Sequence, residues 1–219
     1  LEAFLDIIEN QWPRPTEKSP FRAATIAEDG VVTTSAGQRV ALTDRRVTLH
    51  FPCFSHYHSG AMALAARWQG LNVGGPIELD RRHLECGLQY TSGRECLPLP
   101  ISIGHMLQAH DRRQPDETVG YYVMPGGAPC AVDCYVDYFR QFIDERELEN
   151  LFIFDPQEAN HYYGLNIRGL AQVLAPVITL ADIFVELEQT LRVVGEPGSG
   201  DVLRSYWEKY VISAVSLKA

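Results

Sequence analysis

Apolar residues recur along this chain in two patterns: short β-rich runs, and longer stretches with helical spacing. Residues 1–10 are amphipathic and predict a short helix, which Pro13, Pro15 and Pro20 end in an extended linker. Residues 23–43 predict a small hairpin with strands at 23–27, 31–34 and 39–42 and turns at Glu28-Asp29-Gly30 and Ser35-Ala36-Gly37. Beyond residue 46 the apolar runs at 47–51, 71–79, 119–124 and 151–154 predict four buried strands. Between them, the patterns at 61–68, 81–89, 99–110 and 132–146 predict helices. Residues 165–194 read as a long helix kinked near Pro176, and 201–215 as a last helix after the flexible 195–200.

This alternation predicts an α/β fold, a four-stranded, mainly parallel sheet flanked by helices in a Rossmann- or flavodoxin-like layer. The hairpin is a small N-terminal extension, and helices close the C-terminal side. The expected division is 1–45 for the extension, 46–195 for the α/β domain, and 196–219 for the linker and last helix. The chain opens without Met on a helical pattern and closes on another, so a piece of a longer polypeptide is expected.

Composition narrows the function. The net charge is −9, from 19 basic and 28 acidic residues, which argues against general nucleic-acid binding. No run of the length of a membrane span stands out in the raw sequence, and the N-terminus lacks a basic region followed by an apolar core, so a cytoplasmic protein with no membrane partner is expected. The five cysteines, Cys53, Cys86, Cys96, Cys130 and Cys134, are odd in number and widely spaced, a pattern of reduced thiols or metal ligands rather than of a disulfide framework.

Ligands of open α/β sheets sit outside the carboxyl ends of the strands. Cys53 lies just past the first predicted strand, Cys130 follows the third, and Cys96 precedes a helix within reach of the same rim. Cys134 falls one helical turn after Cys130. These thiols form one candidate set for an iron–sulfur cluster, which needs thiolate ligands from a rigid frame and whose negative charge helix N-termini help offset. Burial as a small apolar residue is the alternative for each, and it fits Cys86 best.

His56 and His58, beside Cys53, are candidates for zinc ligation or for acid–base work next to a bound substrate. Helix capping by His58 and a loop-carbonyl contact by His56 are the structural alternatives. Gly126 and Gly127 follow a strand and are candidates to cradle a phosphate or a cluster. Gly198-Ser199-Gly200 is followed by Asp201 where a phosphate loop needs Lys, so it reads as linker. Arg94 and Glu95 are either a surface pair or a brace for the cysteine loop.

Two stretches carry a resemblance. Gln89-Tyr90-Thr91-Ser92-Gly93-Arg94-Glu95-Cys96-Leu97-Pro98-Leu99 resembles the KYTSGKECYPL signature from the C-terminal region of large iron–sulfur proteins related to the 2-hydroxyacyl-CoA dehydratases and their ATP-dependent activators. Pro125-Gly126-Gly127-Ala128-Pro129-Cys130 is similar to that family's PTASGPCRFGQY signature, although Val132-Asp133-Cys134-Tyr135 replaces its ending. The similarity covers about residues 47–192.

The resemblance implies a dehydratase-like domain that holds a 4Fe–4S cluster through three cysteines and receives low-potential electrons from an ATP-dependent activator domain or chain. Cys96 and Cys130 match motif cysteines. Cys53, with Cys134 next, is the candidate third ligand. The alternatives are a catalytic dehydratase subunit acting on a CoA thioester, with His56 or His58 handling protons, and a zinc-stabilised or purely structural interaction domain with no redox chemistry. A homo- or hetero-dimer is compatible with any of these.

Overall fold

A computed structural model of the chain describes residues 21–52, 55–75, 77–124, 134–195 and 197–213. It is an α/β protein. Strands β4 (Val47–His50), β5 (Thr118–Tyr122) and β6 (Leu151–Phe154) form a parallel sheet in that order, with Leu49 opposite Gly120 and Gly120 opposite Phe152. Their residues are buried almost throughout, as strands covered on both faces must be. Gly120 lies at the centre for a steric reason: a Cβ there would meet Leu49 Cδ2 at 2.5 Å and Phe152 Cζ at 2.6 Å.

Four strands are expected, and among the described residues three form this sheet. The second predicted run, 71–79, pairs with β4 only at a parallel bridge between Leu49 and Val73, through Leu49 N to Asn72 O (2.9 Å) and Gly74 N to Leu49 O (3.0 Å). The pairing stops where Gly74 passes the His50 ring so closely that any Cβ at position 74 would overlap it. Residues 25–41 form a separate antiparallel sheet of β1 (Thr25–Ile26), β2 (Val31–Thr33) and β3 (Arg39–Ala41). Its Val32 and Val40, with Leu42, join Val47, Leu49, Phe152 and Phe154 in one buried cluster, so this sheet covers part of one face of the parallel sheet.

Helix α1 (His56–Trp68) packs on that face through Ala66. It is capped by Ser55, whose hydroxyl accepts from His58 N at 3.1 Å, and it ends at Gln69 before Gly70 at φ +78°. It begins earlier than its apolar pattern suggests, which puts both His56 and His58 in its first turn. Helices α2 (Arg81–Leu88), α3 (Pro98–Asp111) and α4 (Tyr135–Glu145) cover the opposite face. There Leu99, Ile103, Met106, Phe139 and Ile143 bury Val119, Tyr121, Leu151 and Ile153.

Helices α2 and α3 touch backbone to backbone. A Cβ on Gly87 would overlap the Pro100 carbonyl, and one on Gly104 would overlap the His83 carbonyl. On the far side of α1 lie α5 (Ile167–Val194), α6 (Ser199–Tyr206) and a π-helical turn, Trp207–Ile212, with Tyr57, Val177, Ala181 and Trp207 at their shared core.

One sequence expectation is corrected here. Helix α5 runs 28 residues and contains an 18-residue window of mean hydropathy 1.8, long and apolar enough to cross a membrane by length and composition alone. The signal is diluted in the raw sequence by Gln172, Thr179, Asp182 and Glu186. In the fold, α5 uses its charged groups for packing: Asp182 meets His58 of α1 at 2.8 Å, and the largely buried Glu188 meets Arg192 at 2.9 Å and Arg204 at 3.2 Å.

His105 of α3 is buried between Tyr121 and His83, at ring centroid distances of 5.6 and 5.8 Å, and burial pushes its pKa down to about 4. His50 and His110 are lowered by burial as well. All three are neutral in the folded protein at pH values where the unfolded chain already takes up protons. Their contribution is therefore complete above about pH 6.5 and is lost as pH falls below it, for His105 down to about 4. The melting temperature is expected to drop across that window, and His105→Gln to flatten the slope. A separate expectation concerns the helix crossing: Gly87→Ala or Gly104→Ala destabilises the fold by at least about 2 kcal/mol, read as a melting temperature lower by roughly 4–8 °C.

Candidate functional site

The α2–α3 connection is the stretch with the densest local chemistry. Gly93 takes φ +79°, and the Glu95 carboxylate closes the turn by accepting from Ser92 N (3.1 Å), Ser92 Oγ (2.9 Å) and Arg94 N (3.1 Å). Burial alone would raise the Glu95 pKa, but these hydrogen bonds outweigh it and hold the carboxyl below its usual range. Of the two roles open to Glu95 in the sequence, it takes the brace. The loop then delivers Cys96 to the start of α3, where Pro98 occupies the first turn and no side chain caps the helix.

Helix α4 clamps this loop at both ends. Cys96 Sγ is 2.7 Å from the Tyr135 hydroxyl, and the Tyr138 hydroxyl donates to Tyr90 O at 3.1 Å. The Tyr90 ring lies edge-on to Phe142 at 5.2 Å, with the Arg146 guanidinium 4.9 Å from its centroid. Cys134 immediately precedes α4. Both Cys96 and Cys134 are exposed, whereas Cys86 is partly buried on α2. Thr91 adds a buried hydroxyl without a hydrogen-bond partner in the same loop.

Cys53, Cys130, Gly126 and Gly127 lie outside the described residues. Among the described residues, no group of three or more His, Cys, Asp or Glu side chains is arranged to hold a metal ion.

The two histidines go elsewhere. His58 is held at both ring nitrogens, Nδ1 at 2.8 Å from Ser55 Oγ and Nε2 at 2.8 Å from Asp182 Oδ1. Zinc ligation through His58 would break one of these contacts. His56 faces two carboxylates, with Nε2 3.2 Å from Glu208 Oε1 and Nδ1 3.7 Å from Glu78 Oε1. It lines a pocket of about 270 Å³ at the carboxyl end of β4, together with His50, Ser59, Arg67, Glu78 and Glu208. Arg204 links Glu78 (3.5 Å) to Glu188 (3.2 Å), and the Tyr57 phenol beside them is pushed up to about 12 by burial and by the Glu188 carboxylate.

A polar knot past β6 escapes a reading of the sequence. Asp155, 1% exposed, accepts from Arg140 Nη2 at 3.0 and 3.1 Å, from the Tyr163 hydroxyl at 2.6 Å and from Gln157 Nε2 at 3.3 Å. It anchors a left-handed turn in which His161, Tyr162 and Tyr163 take φ of 49°, 51° and 56°, followed by Gly164 at 76°. Left-handed backbone costs a residue with a Cβ about 1–2 kcal/mol, so the surroundings must enforce this turn. Tyr163 stacks on Phe154 at 5.6 Å, and Tyr162 N donates to Gln157 O at 2.9 Å. Only Gly164 hints at such a turn in the sequence; the residues before it give no sign.

No family model, curated protein or solved structure matches the chain.

The thiol environments separate the cysteines. Burial, with the Asp111 charge second, pushes the Cys86 thiol up. Of the three described thiols, Cys96 and Cys134 are expected to be alkylated by iodoacetamide first and Cys86 last, as read by peptide mass spectrometry of the native protein at pH 8. Equal or faster labelling of Cys86 would contradict the burial argument.

Proposed function

We propose that this chain is a 4Fe–4S cluster-binding redox domain of the 2-hydroxyacyl-CoA dehydratase/activator type, taking electrons from an ATP-dependent activator domain or chain. One observation carries the reading: α4 holds the Cys96 loop through Tyr135, so the loop of the first signature is tied to the segment that carries Cys134 and, in sequence just before it, Cys130. The described groups suit such a cofactor in kind. Cys96 and Cys134 are exposed thiols flanking Tyr135, an uncapped helix start follows Cys96, and the Thr91 hydroxyl is unpaired.

In this reading Cys96 and Cys130 hold the cluster, with Cys53 or Cys134 as third ligand. When bound, it supplies low-potential one-electron transfer. The protein's part is positional. Glu95 fixes the loop, Tyr135 orients the Cys96 sulfur, and the first-turn N–H groups of α3 favour negative charge beside it. The succession of the Val73 bridge, β4, β5 and β6 across the sheet supports a flavodoxin-like layer, in which the crevice between diverging connections lies outside β4 and β5. A cytoplasmic location and a dimeric state belong to the same proposal.

A second reading, a catalytic subunit acting on a CoA thioester, is favoured by the His56 pocket. There an imidazole flanked by Glu78 and Glu208 can accept or release a proton beside the carboxyl end of β4. His58, held by Ser55 and Asp182, serves in that case as a positioning residue.

Protein purified without oxygen is expected to contain iron and acid-labile sulfide in equal amounts and to show broad visible absorbance. Cys96→Ala and Cys130→Ala should each abolish that absorbance, and Cys86→Ala should retain it. Zinc in place of both iron and sulfide would overturn the proposal.

A further inference from the structure

A second cavity opens at the carboxyl end of the sheet, on the face away from the Cys96 loop. Its volume is about 300 Å³, at the lower end of the range of small-molecule sites, which starts at about 300 Å³. One wall is aromatic: Phe51, Tyr122 and Phe154 come from the ends of three neighbouring strands, with centroid separations of 5.2 Å for Phe51–Tyr122 and 6.3 Å for Tyr122–Phe154. The facing wall is aliphatic, with Met62 from α1 and Leu170 and Leu174 from α5.

No charged side chain lines the cavity among the described residues, and Gln69 in its lining and Asp155 beside it are already paired within the fold. Gln69 exchanges two hydrogen bonds with the Asn166 backbone, both 3.1 Å, and Asp155 is held by Arg140 and Tyr163. The chemistry left for a ligand is apolar contact, with rings on one side and leucines on the other. That slot suits a flat group, because a ring can stack offset on the aromatic wall while its other face meets methyl groups.

The left-handed turn is an independent observation pointing to the same place. Its middle residue, Tyr162 at φ 51°, is a bulky side chain on a backbone that disfavours it, and its side chain lines the cavity. Conformations of this kind persist where the surroundings over-determine them, and they gather at ligand clamps. Here the Asp155–Tyr163 anchor holds the turn on one side, and Gly30, where a Cβ would come within 2.7 Å of Tyr163 O, lets the antiparallel sheet press on the other.

We propose that this cavity is a binding site for an uncharged aromatic group of one or two rings, held between the strand-end rings and the α5 leucines with Tyr162 as part of its wall. The site shares no residue with the thiol loop, so it stands whether or not the chain carries a cluster.

The neutral fluorophore N-phenyl-1-naphthylamine, whose two-ring naphthyl group is the part expected to enter, tests this on the full chain. Its emission is expected to rise saturably to one probe per chain, and naphthalene is expected to displace it more effectively than 1-octanol. Ala171→Phe, on the exposed side of α5 where it lines the cavity, should weaken binding at least tenfold. Ala175→Phe, exposed on the same helix and outside the lining, should leave it unchanged. Tyr162→Gly relieves the backbone and removes the ring, so it should weaken binding severalfold without lowering the melting temperature. Non-saturable emission, equal binding by the Ala171→Phe protein, or better displacement by 1-octanol would overturn the assignment.

Discussion

Where α2 crosses α3, Gly87 faces the Pro100 carbonyl and Gly104 faces the His83 carbonyl with no side chain between them. Much of this side of the molecule depends on that approach. It makes the helix pair a rigid hairpin, sets the length of chain needed to join them, and seats Leu99, Ile103 and Met106 against β5. The Tyr90–Pro98 stretch is then a short connection under constraint rather than a free loop. Its residues serve the constraint: Glu95 closes the turn, Gly93 provides the left-handed residue, and Pro98 starts the next helix. The same geometry turns Cys96 outward, where α4 reaches it through Tyr135. A methyl group at either glycine would act first on packing, and through packing on the thiol.

The strand–helix alternation was legible because β4, β5 and β6 are short β-rich runs, with residues of both parities buried, as a sheet covered on both faces requires. The small antiparallel sheet was legible from its turns. The run 71–79 has strand composition interrupted at Gly74-Gly75, and the interruption has a physical reason: Gly74 is kept small by the His50 ring, a contact that no local pattern encodes. The start of α1 was placed late because its first turn is polar, and its cap, Ser55, bonds to a histidine that looked like a metal ligand. The same contact accounts for His58. With Ser55 on one nitrogen and Asp182 of α5 on the other, this imidazole joins two helices. The brace formed by Glu95 is one of two roles its sequence position suggests, whereas no local signal points to the Asp155 knot. Its partners Arg140 and Tyr163 are separated in sequence by a helix and a strand, and only the fold brings them to one carboxylate.

Helix α5 has the length and composition of a membrane span, and only 11% of its apolar window is buried in the fold. Its apolar content would suit a lipid environment, since a window of it reaches mean hydropathy 1.8. Yet Asp182 and Glu188 are bound to groups on other helices, and Val177 and Ala181 enter a core with Tyr57 and Trp207. The Arg192–Glu188–Arg204–Glu78 chain carries that attachment across α6 to the segment before α2. Breaking such a partly buried network by removing one partner leaves an uncompensated charge, so its arrangement fixes where α5 lies against α6.

The position of α5 in turn determines what the carboxyl end of the sheet can do. One face of that edge adjoins the hairpin and presents thiols, an unpaired hydroxyl and an uncapped helix start, all polar features. The other face is closed by α5 and offers rings and leucines, with Gln69 and Asp155 paired within the fold. A single parallel sheet thus presents two chemically opposite surfaces at the edge where such sheets bind ligands. The division follows from strand alternation: Tyr121 points to one face, and Tyr122, next to it, points to the other.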